Sequence, residues 1–184
     1  MRFRQLQLQG CFEIQPYVFD DVRGRFVKTY HLPTFREQGV EAPEAEEYVT
    51  TSNVNVLRGL HFQVPPMDHV KVVYCISGRV LDVVLDIRVG SPTYGKHVTT
   101  ELSGEQANMI YIPRGMAHGF YVLEGPAIMV YRVSKVYSRD HDKGILWNSA
   151  GILWPTRSPI ISDRDSEFPE FVAFDSPFDY AAGG

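Results

Sequence analysis

The feature that most limits what this chain can fold into is a recurring alternation of apolar and polar residues with a period of two. In Arg79–Arg88, Leu81, Val83, Leu85 and Ile87 fall on one side, and Asp82, Asp86 and Arg88 on the other. Successive side chains of an extended strand point to opposite faces, so this pattern specifies a strand with one apolar face. Shorter segments of the same character run Lys71–Ile76, His97–Leu102, Asn108–Ile112, Gly119–Leu123 and Ala127–Tyr137. Turn-forming residues separate them: Ser77-Gly78, Gly90-Ser91-Pro92, Ser103-Gly104, Pro113-Arg114-Gly115 and Glu124-Gly125-Pro126. Short strands at such close, regular spacing predict an all-β barrel or sandwich, not an α/β fold. One helix is expected at Leu32–Gln38, with Pro33 near its start and Gly39 just past its end. A short turn is expected around Ser138–Lys143. From Trp154 onward, Pro, Ser, Asp and Phe predominate, and an ordered tail wrapping the barrel is expected there.

The chain has 184 residues, enough for one well-buried core and short for two. With no repeat, linker or low-complexity segment, it reads as one domain over 1–184, with a barrel core at about 45–137. A net charge of −4 argues against a protein built to coat nucleic acid or anionic lipid. Apolar runs such as Val83–Leu85 are far too short to span a membrane, and the first residues alternate instead of forming a signal-peptide core. A cytoplasmic protein without nucleic-acid or membrane partners is therefore expected. Cys11 and Cys75 belong to no CxxC pair and read as buried small hydrophobes.

Reactive side chains are densest in Arg58-Gly59-Leu60-His61-Phe62-Gln63, where a strand begins after a polar run. Lys71 heads the next strand, His118 follows in Pro113-x-Gly115-x-x-His118, and Asp163 and Asp165 lie in the tail. Pro-x-Gly-x-x-His between two strands resembles the second motif of cupins, small double-stranded β-helix barrels. Metal-binding cupins also carry an HxH pair, whose two histidines share a strand face. Here HxH is absent and His61 and His69 stand eight apart, so neither a metal nor a cofactor is expected.

Further blocks narrow the resemblance. They include Asp21-Val-Arg23-Gly24-Arg-Phe26, Asn55-Val-Leu-Arg58-Gly-Leu-His61-Phe-Gln63 followed by Lys71, and Asp82–Arg88 followed by Gly90-Ser91-Pro92-Thr93-Tyr94-Gly95. Ile112-Pro113-x-Gly115-x-Ala117-His118-Gly119-Phe120, the Tyr131 and Tyr137 pair, Trp154-Pro155 and Ser162-x-x-Asp165 complete the set. From about Asp21 to Pro169 the chain resembles the dTDP-4-dehydrorhamnose 3,5-epimerase family. That resemblance implies a cupin-like jelly-roll barrel with N- and C-terminal arms, and a homodimer in which an N-terminal strand reaches the partner.

It also implies a reaction. Protons at C3 and C5 of a nucleotide-linked 4-keto-6-deoxyhexose flank a ketone, so removing one gives an enolate and returning it from the opposite face inverts the carbon. By resemblance His61 is the base, its imidazole able to take up a proton near neutral pH. Asp165 bonds the other ring nitrogen, Tyr131 delivers a proton from the far side, and Lys71 stabilises the enolate oxygen. Arg23 and Arg58 are implied diphosphate ligands, guanidinium groups being suited to phosphate oxygens. Phe26 offers an aromatic face to the base, Gln63 helps hold sugar or phosphate, Tyr137 lines the sugar pocket and His118 supports the site.

Simpler readings of the residues stand beside these. Tyr131 alternates with Met129 and Val133 as a packing residue would, Lys71 fits an edge-strand gatekeeper, and the tail aspartates fit solvated carboxylates. Two positions depart from the family pattern. Lys28 stands where a Glu is usual, and Glu46-Glu47-Tyr48 where Gln-Asp-Asn is usual; both are implied nucleotide contacts. The reversed polarity at Lys28 suggests that a CDP-linked sugar is accepted as well as a dTDP-linked one. The alternatives are an enzyme acting at C3 or C5 only, a non-catalytic sugar-binding cupin, and a metal-dependent isomerase or dioxygenase.

Overall fold

The computed structural model describes residues 1–180. In chain order its strands are β1 (Arg2–Gln5), β2 (Phe12–Gln15), β3 (Tyr17–Asp21), β4 (Gly24–Lys28), β5 (Glu46–Ser52), β6 (Leu57–Gln63), β7 (Lys71–Asp86), β8 (His97–Ser103), β9 (Met109–Ile112), β10 (Met116–Val133) and β11 (Asp142–Gly144). Helix α1 (Leu32–Gln38) lies where its Pro and Gly signals put it, capped by Gly39 in the left-handed region. A second, one-turn helix, α2 (Asp163–Ser166), and a 3-10 turn at Phe171–Ala173 lie in the tail. No helix among the described residues is long and apolar enough to cross a membrane.

The fold is all-β and cupin-like, but the strand boundaries differ from the sequence expectation at two places. Ser77-Gly78 and Glu124-Gly125-Pro126 do not end strands; β7 and β10 run through them. The two long strands pair antiparallel with each other along both halves, from Met116↔Asp86 to Val133↔Lys71. The first half of β7 is flanked by β9, and the second half of β10 by β5. Beyond the bend, β7 is flanked by β8 and β10 by β6, with β11 outside β6. Two sheets thus share their two central strands and close over one interior.

The bend also changes which alternate residues face inward. Val73 and Cys75 belong to the interior cluster before it, and Val80 and Val84 after it; on β10, Phe120 and Val122 give way to Ala127, Met129 and Tyr131. The last residue of one run and the first of the next are five positions apart on each strand, an odd offset, and the ladder between the strands shifts register there. A bulge has this effect, because an extra residue inverts the two-residue period. Asp82 and Asp86, read from the alternation as the polar face, are accordingly buried.

The outer faces are sealed by the arms. The N-terminal strands and α1 cover one sheet through Ile14 and Phe35, which pack with Val72, Tyr74 and Tyr111. The tail covers the other through Phe178 and Ile152, packed on Phe62, Val83 and Leu85. Cys11 and Cys75 are both free and buried.

Gly78 makes the bend possible. Its φ is +80°, and a Cβ there would lie 2.5 Å from the Glu124 carbonyl oxygen and 2.9 Å from Ala127 Cα. Gly39 shares the left-handed conformation but faces open space. Gly78→Ala should therefore cost roughly 4 kcal/mol of unfolding free energy, against about 1–2 kcal/mol for Gly39→Ala. Denaturant unfolding of the two variants checks this, and equal losses would show that backbone contact at the bend is unimportant.

Candidate active site

One cleft, of about 300 Å³, opens into the barrel interior between the two sheets. Its first functional wall is β6. Gly59 lies at φ +135° with room for no side chain: a Cβ would sit 2.5 Å from Gly119 Cα. This close approach lays β6 on β10, so that His61 pairs in register with His118. The tail then supplies a carboxylate. Ser162 caps α2 by accepting a hydrogen bond from the Asp165 amide at 3.1 Å, which turns Asp165 inward to only 3% exposure. Asp165 Oδ1 lies 2.9 Å from His61 Nε2, and Oδ2 accepts from the Gly59 amide at 3.1 Å.

Burial by itself would raise the Asp165 carboxyl, but the bonds from His61, Gly59 and Ser162 and the His61 charge outweigh it and hold it below the ordinary carboxylate range. Because Asp165 is an acceptor, His61 carries its proton on Nε2 and leaves the Nδ1 lone pair free for chemistry. Asp163, the other tail aspartate, is exposed.

β7 and β10 supply the remaining groups. Lys71 is buried, and burial pushes its ammonium down to about 8, although Asp142 and Asp82 act to hold it up. Among the described residues its Nζ donates only to the His61 carbonyl, at a long 3.4 Å. His118 Nε2 donates to Asp82 Oδ2 at 2.7 Å, which makes it a supporting group already committed to a carboxylate. Tyr131 is also buried, and its phenol is raised far above its usual range by burial, so it stays protonated. Among the described residues the hydroxyl has one hydrogen-bond partner, Thr50 Oγ1 at 3.4 Å. Tyr48, directly opposite on β5, stacks on the Tyr131 ring with centroids 4.7 Å apart and planes within 12°.

Of the other residues expected from the sequence, Arg58, Gln63 and Tyr137 line this cleft. Arg58 Nε donates to Ser52 Oγ at 2.9 Å. Gln63 is spent on the protein itself: its Oε1 accepts from the Ser138 amide at 2.6 Å, and its Nε2 donates to the Met67 carbonyl at 2.8 Å. Both ends of its amide thus brace the cleft wall. Arg23, Phe26 and Lys28 are elsewhere, on the β3–β4 hairpin, a separate two-stranded sheet. There Arg23 pairs with Asp21 at 2.5 Å, and Phe26 is exposed beside a shallow hollow of the hairpin itself. Glu46 and Tyr48 line the cleft, so the two departures from the family pattern do not form one surface within the chain. Among the described residues, no group of three or more His, Cys, Asp or Glu side chains is placed to hold a metal ion.

A family profile described as dTDP-4-dehydrorhamnose 3,5-epimerase matches residues 5–173. The chain belongs to that family. It is 41% identical to dTDP-4-dehydrorhamnose 3,5-epimerase of Shigella flexneri over 178 residues, covering 95% of this chain and 98% of the relative. It is also 37% identical to dTDP-4-dehydrorhamnose 3-epimerase of Streptomyces niveus, covering 91% of this chain and 82% of the relative. Among solved structures, the 3,5-epimerase RmlC of Legionella pneumophila Philadelphia 1, in complex with dTDP-4-keto-L-rhamnose, superposes with a TM-score of 0.93. The two are 31% identical, with 98% of this chain and 99% of the other covered. As a family member the chain is an isomerase, a carbohydrate epimerase, on the cupin-like barrel expected from its sequence.

In this epimerase the cleft joins an imidazole with one free nitrogen, a buried ammonium and a protonated phenol, the parts needed to move protons beside a carbonyl. Sequence reasoning missed Tyr48 in the interior, Asp82 as the partner of His118, and His69 and Asp142 in the wall. Asp82 carried a signal, an acid flanked by Leu81 and Val83 in mid-strand. His69 carried one too, two residues ahead of Lys71.

The titration of Lys71 is a direct check on this electrostatic setting. Its side-chain 15N resonance should titrate near pH 8, against about 10.4 for a free lysine. Asp142→Asn removes a negative charge that favours the ammonium, so it should move the midpoint lower still. A midpoint above 10 in the unaltered protein would contradict the burial described.

Proposed function

We propose that this chain inverts C3 and C5 of a dTDP-linked 4-keto-6-deoxyhexose, in the cytoplasm, as a step of deoxysugar biosynthesis. The observation that carries the reading is the convergence of the His61–Asp165 pair, Lys71 and Tyr131 in one cleft. His61 Nδ1 removes the proton from the carbon beside the ketone, and the C–H electron pair passes into a C=C bond as charge moves onto the C4 oxygen. The Lys71 ammonium faces that charge, in surroundings where water screens it little. Tyr131 then gives its phenolic proton to the opposite face of the carbon. Each turnover leaves His61 protonated and Tyr131 deprotonated, and exchange with solvent resets both.

Arg58 at the cleft edge suits a diphosphate oxygen, whereas Arg23, Phe26 and Lys28 are displaced from their own cleft. The exposed side chains Tyr17, Phe19, Val22 and Phe26 on that hairpin favour a homodimer in which each copy lays its hairpin over the other's cleft. Shared sites of this kind have a distinctive consequence. Mixing Arg23→Ala protein with His61→Asn protein, each nearly inactive alone, should restore up to about a quarter of wild-type activity through hybrid dimers. No recovery on mixing, with dimers formed, would place both residues in one protomer's site.

A second reading, inversion at C3 alone, is favoured by the 3-epimerase relative at an identity near that of the 3,5-epimerases. The deciding experiment follows dTDP-linked and CDP-linked 4-keto-6-deoxyhexoses in heavy water by NMR. Deuterium should enter both C3 and C5 with wild-type protein and neither with His61→Asn. Tyr131→Phe should retain exchange at one or both carbons while losing net inversion, because abstraction does not need the phenol. Exchange at C3 only establishes the second reading, turnover of the CDP sugar supports the polarity argument at Lys28, and wild-type exchange in His61→Asn removes His61 as the base.

A further inference from the structure

His69 has no part in the mechanism above, yet it lines the same cleft two residues before Lys71. Its protonation state follows from its neighbours. The Gln63 amide is oriented by Ser138, whose N–H needs the Gln63 oxygen, so its nitrogen faces the other way. The two N–H groups of Nε2 have three acceptors in reach, and the two shorter contacts, the Met67 carbonyl at 2.8 Å and His69 Nδ1 at 3.0 Å, take them ahead of the Val136 carbonyl at 3.2 Å. Nδ1 must accept, and the 3.4 Å separation from the Met67 carbonyl is the weaker contact. The ring proton accordingly sits on Nε2. Burial first, and then the Lys71 charge, lower the imidazole to about 3, so it is neutral at any physiological pH.

The Nε2–H so defined is buried and has no partner among the described residues. Lys71, beside it, offers three N–H groups and has one long contact. Two neighbouring donors are thus buried with too few acceptors. Buried polar groups in folded proteins nearly always find partners, and an exception at a cleft points to a ligand atom that completes the set. The missing group is an acceptor oxygen, and one that gains negative charge suits both donors.

We propose that His69 Nε2–H and the Lys71 ammonium form a donor pair for the C4 oxygen of the sugar, His69 as a neutral donor and Lys71 as the charged one. This rests on the epimerase reading, and it adds a catalytic residue to it. A fixed neutral donor strengthens its bond as the enolate forms and needs no proton transfer of its own.

Two measurements test the pair. The first needs no turnover: 15N resonances of His69 should show a protonated Nε2 and an unprotonated Nδ1, with no change in its own protonation from pH 5 to pH 8. The opposite tautomer, or titration in that range, overturns the proposal even if the epimerase reading stands. The second compares His69→Met, which removes the donor, with His69→Gln, which restores an N–H. On a dTDP-linked 4-keto-6-deoxyhexose, His69→Met should lose about 100-fold in kcat for deuterium exchange, with binding of dTDP alone within twofold of wild type. His69→Gln should recover at least tenfold of that loss, which a merely structural histidine would not predict. His69→Met within threefold of wild type, or equal losses in both variants, overturns the assignment. If His69→Met fails to fold, the tautomer and the His69→Gln rate decide. Absence of exchange in the wild-type protein counts against the epimerase reading instead, and leaves the NMR result to judge His69.

Discussion

The cleft exists because β7 and β10 each invert their alternation halfway along. Lys71 and Tyr131 lie on the near halves of the two strands, at odd-numbered positions, and Asp82 and His118 lie on the far halves, at even-numbered ones. On strands of unbroken period two, the second pair would face the opposite side of the sheet from the first. The paired bulges at Gly78 and around Gly125 turn both sets inward. The same bend lets two strands serve both sheets, so that the closure of the barrel and the composition of its interior have one origin. It also explains why these turn-forming residues are tolerated within strands, since the left-handed backbone at Gly78 is part of the bulge.

Filling an interior with polar groups is costly unless each is partnered, and the partners here show a division of labour. His118 is bound to Asp82 and Gln63 to its own backbone neighbours, and these groups hold the walls. His61 is bound on one nitrogen only, and Tyr131 and Lys71 have long, weak contacts. The under-bonded atoms belong to the side chains that chemistry would require, while the well-bonded ones surround them. Low dielectric makes the incomplete bonding matter, since a charge arising in the cleft is stabilised by these groups with little screening.

Distance along the chain bears no relation to proximity in the cleft. Asp165 reaches His61 from the tail because Ser162 caps a one-turn helix at the right point and the close approach at Gly59 leaves its amide as a second anchor. The N-terminal hairpin does the reverse: Arg23, Phe26 and Lys28 are nearer in sequence to β6 than Asp165 is, yet they stand outside the cleft of their own chain. A two-stranded ribbon with exposed aromatics is ill suited to standing alone. That imbalance supports the dimer proposed above.

The sequence by itself determined the strand-rich architecture, because a two-residue period and regularly placed turn residues are local signals that need no tertiary information. It determined α1 through Pro33 and Gly39 and the burial of both cysteines, while the choice of Asp165 over Asp163 came from the resemblance to the family's Ser-x-x-Asp element. The family, and with it the candidate set His61, Lys71, Tyr131 and Asp165, was legible in contiguous motifs. Only the tertiary structure decided that Ser77-Gly78 and Glu124–Pro126 are bulges within long strands, since a turn and a bulge use the same residues and differ in what the following segment pairs with. It alone put Tyr48 against Tyr131, Asp82 under His118 and an unpaired His69 donor beside Lys71, and committed Gln63 to the wall. Those assignments depend on which side of a strand a residue faces after a bulge and on which neighbour holds its proton. Both are set by contacts between segments far apart in the chain.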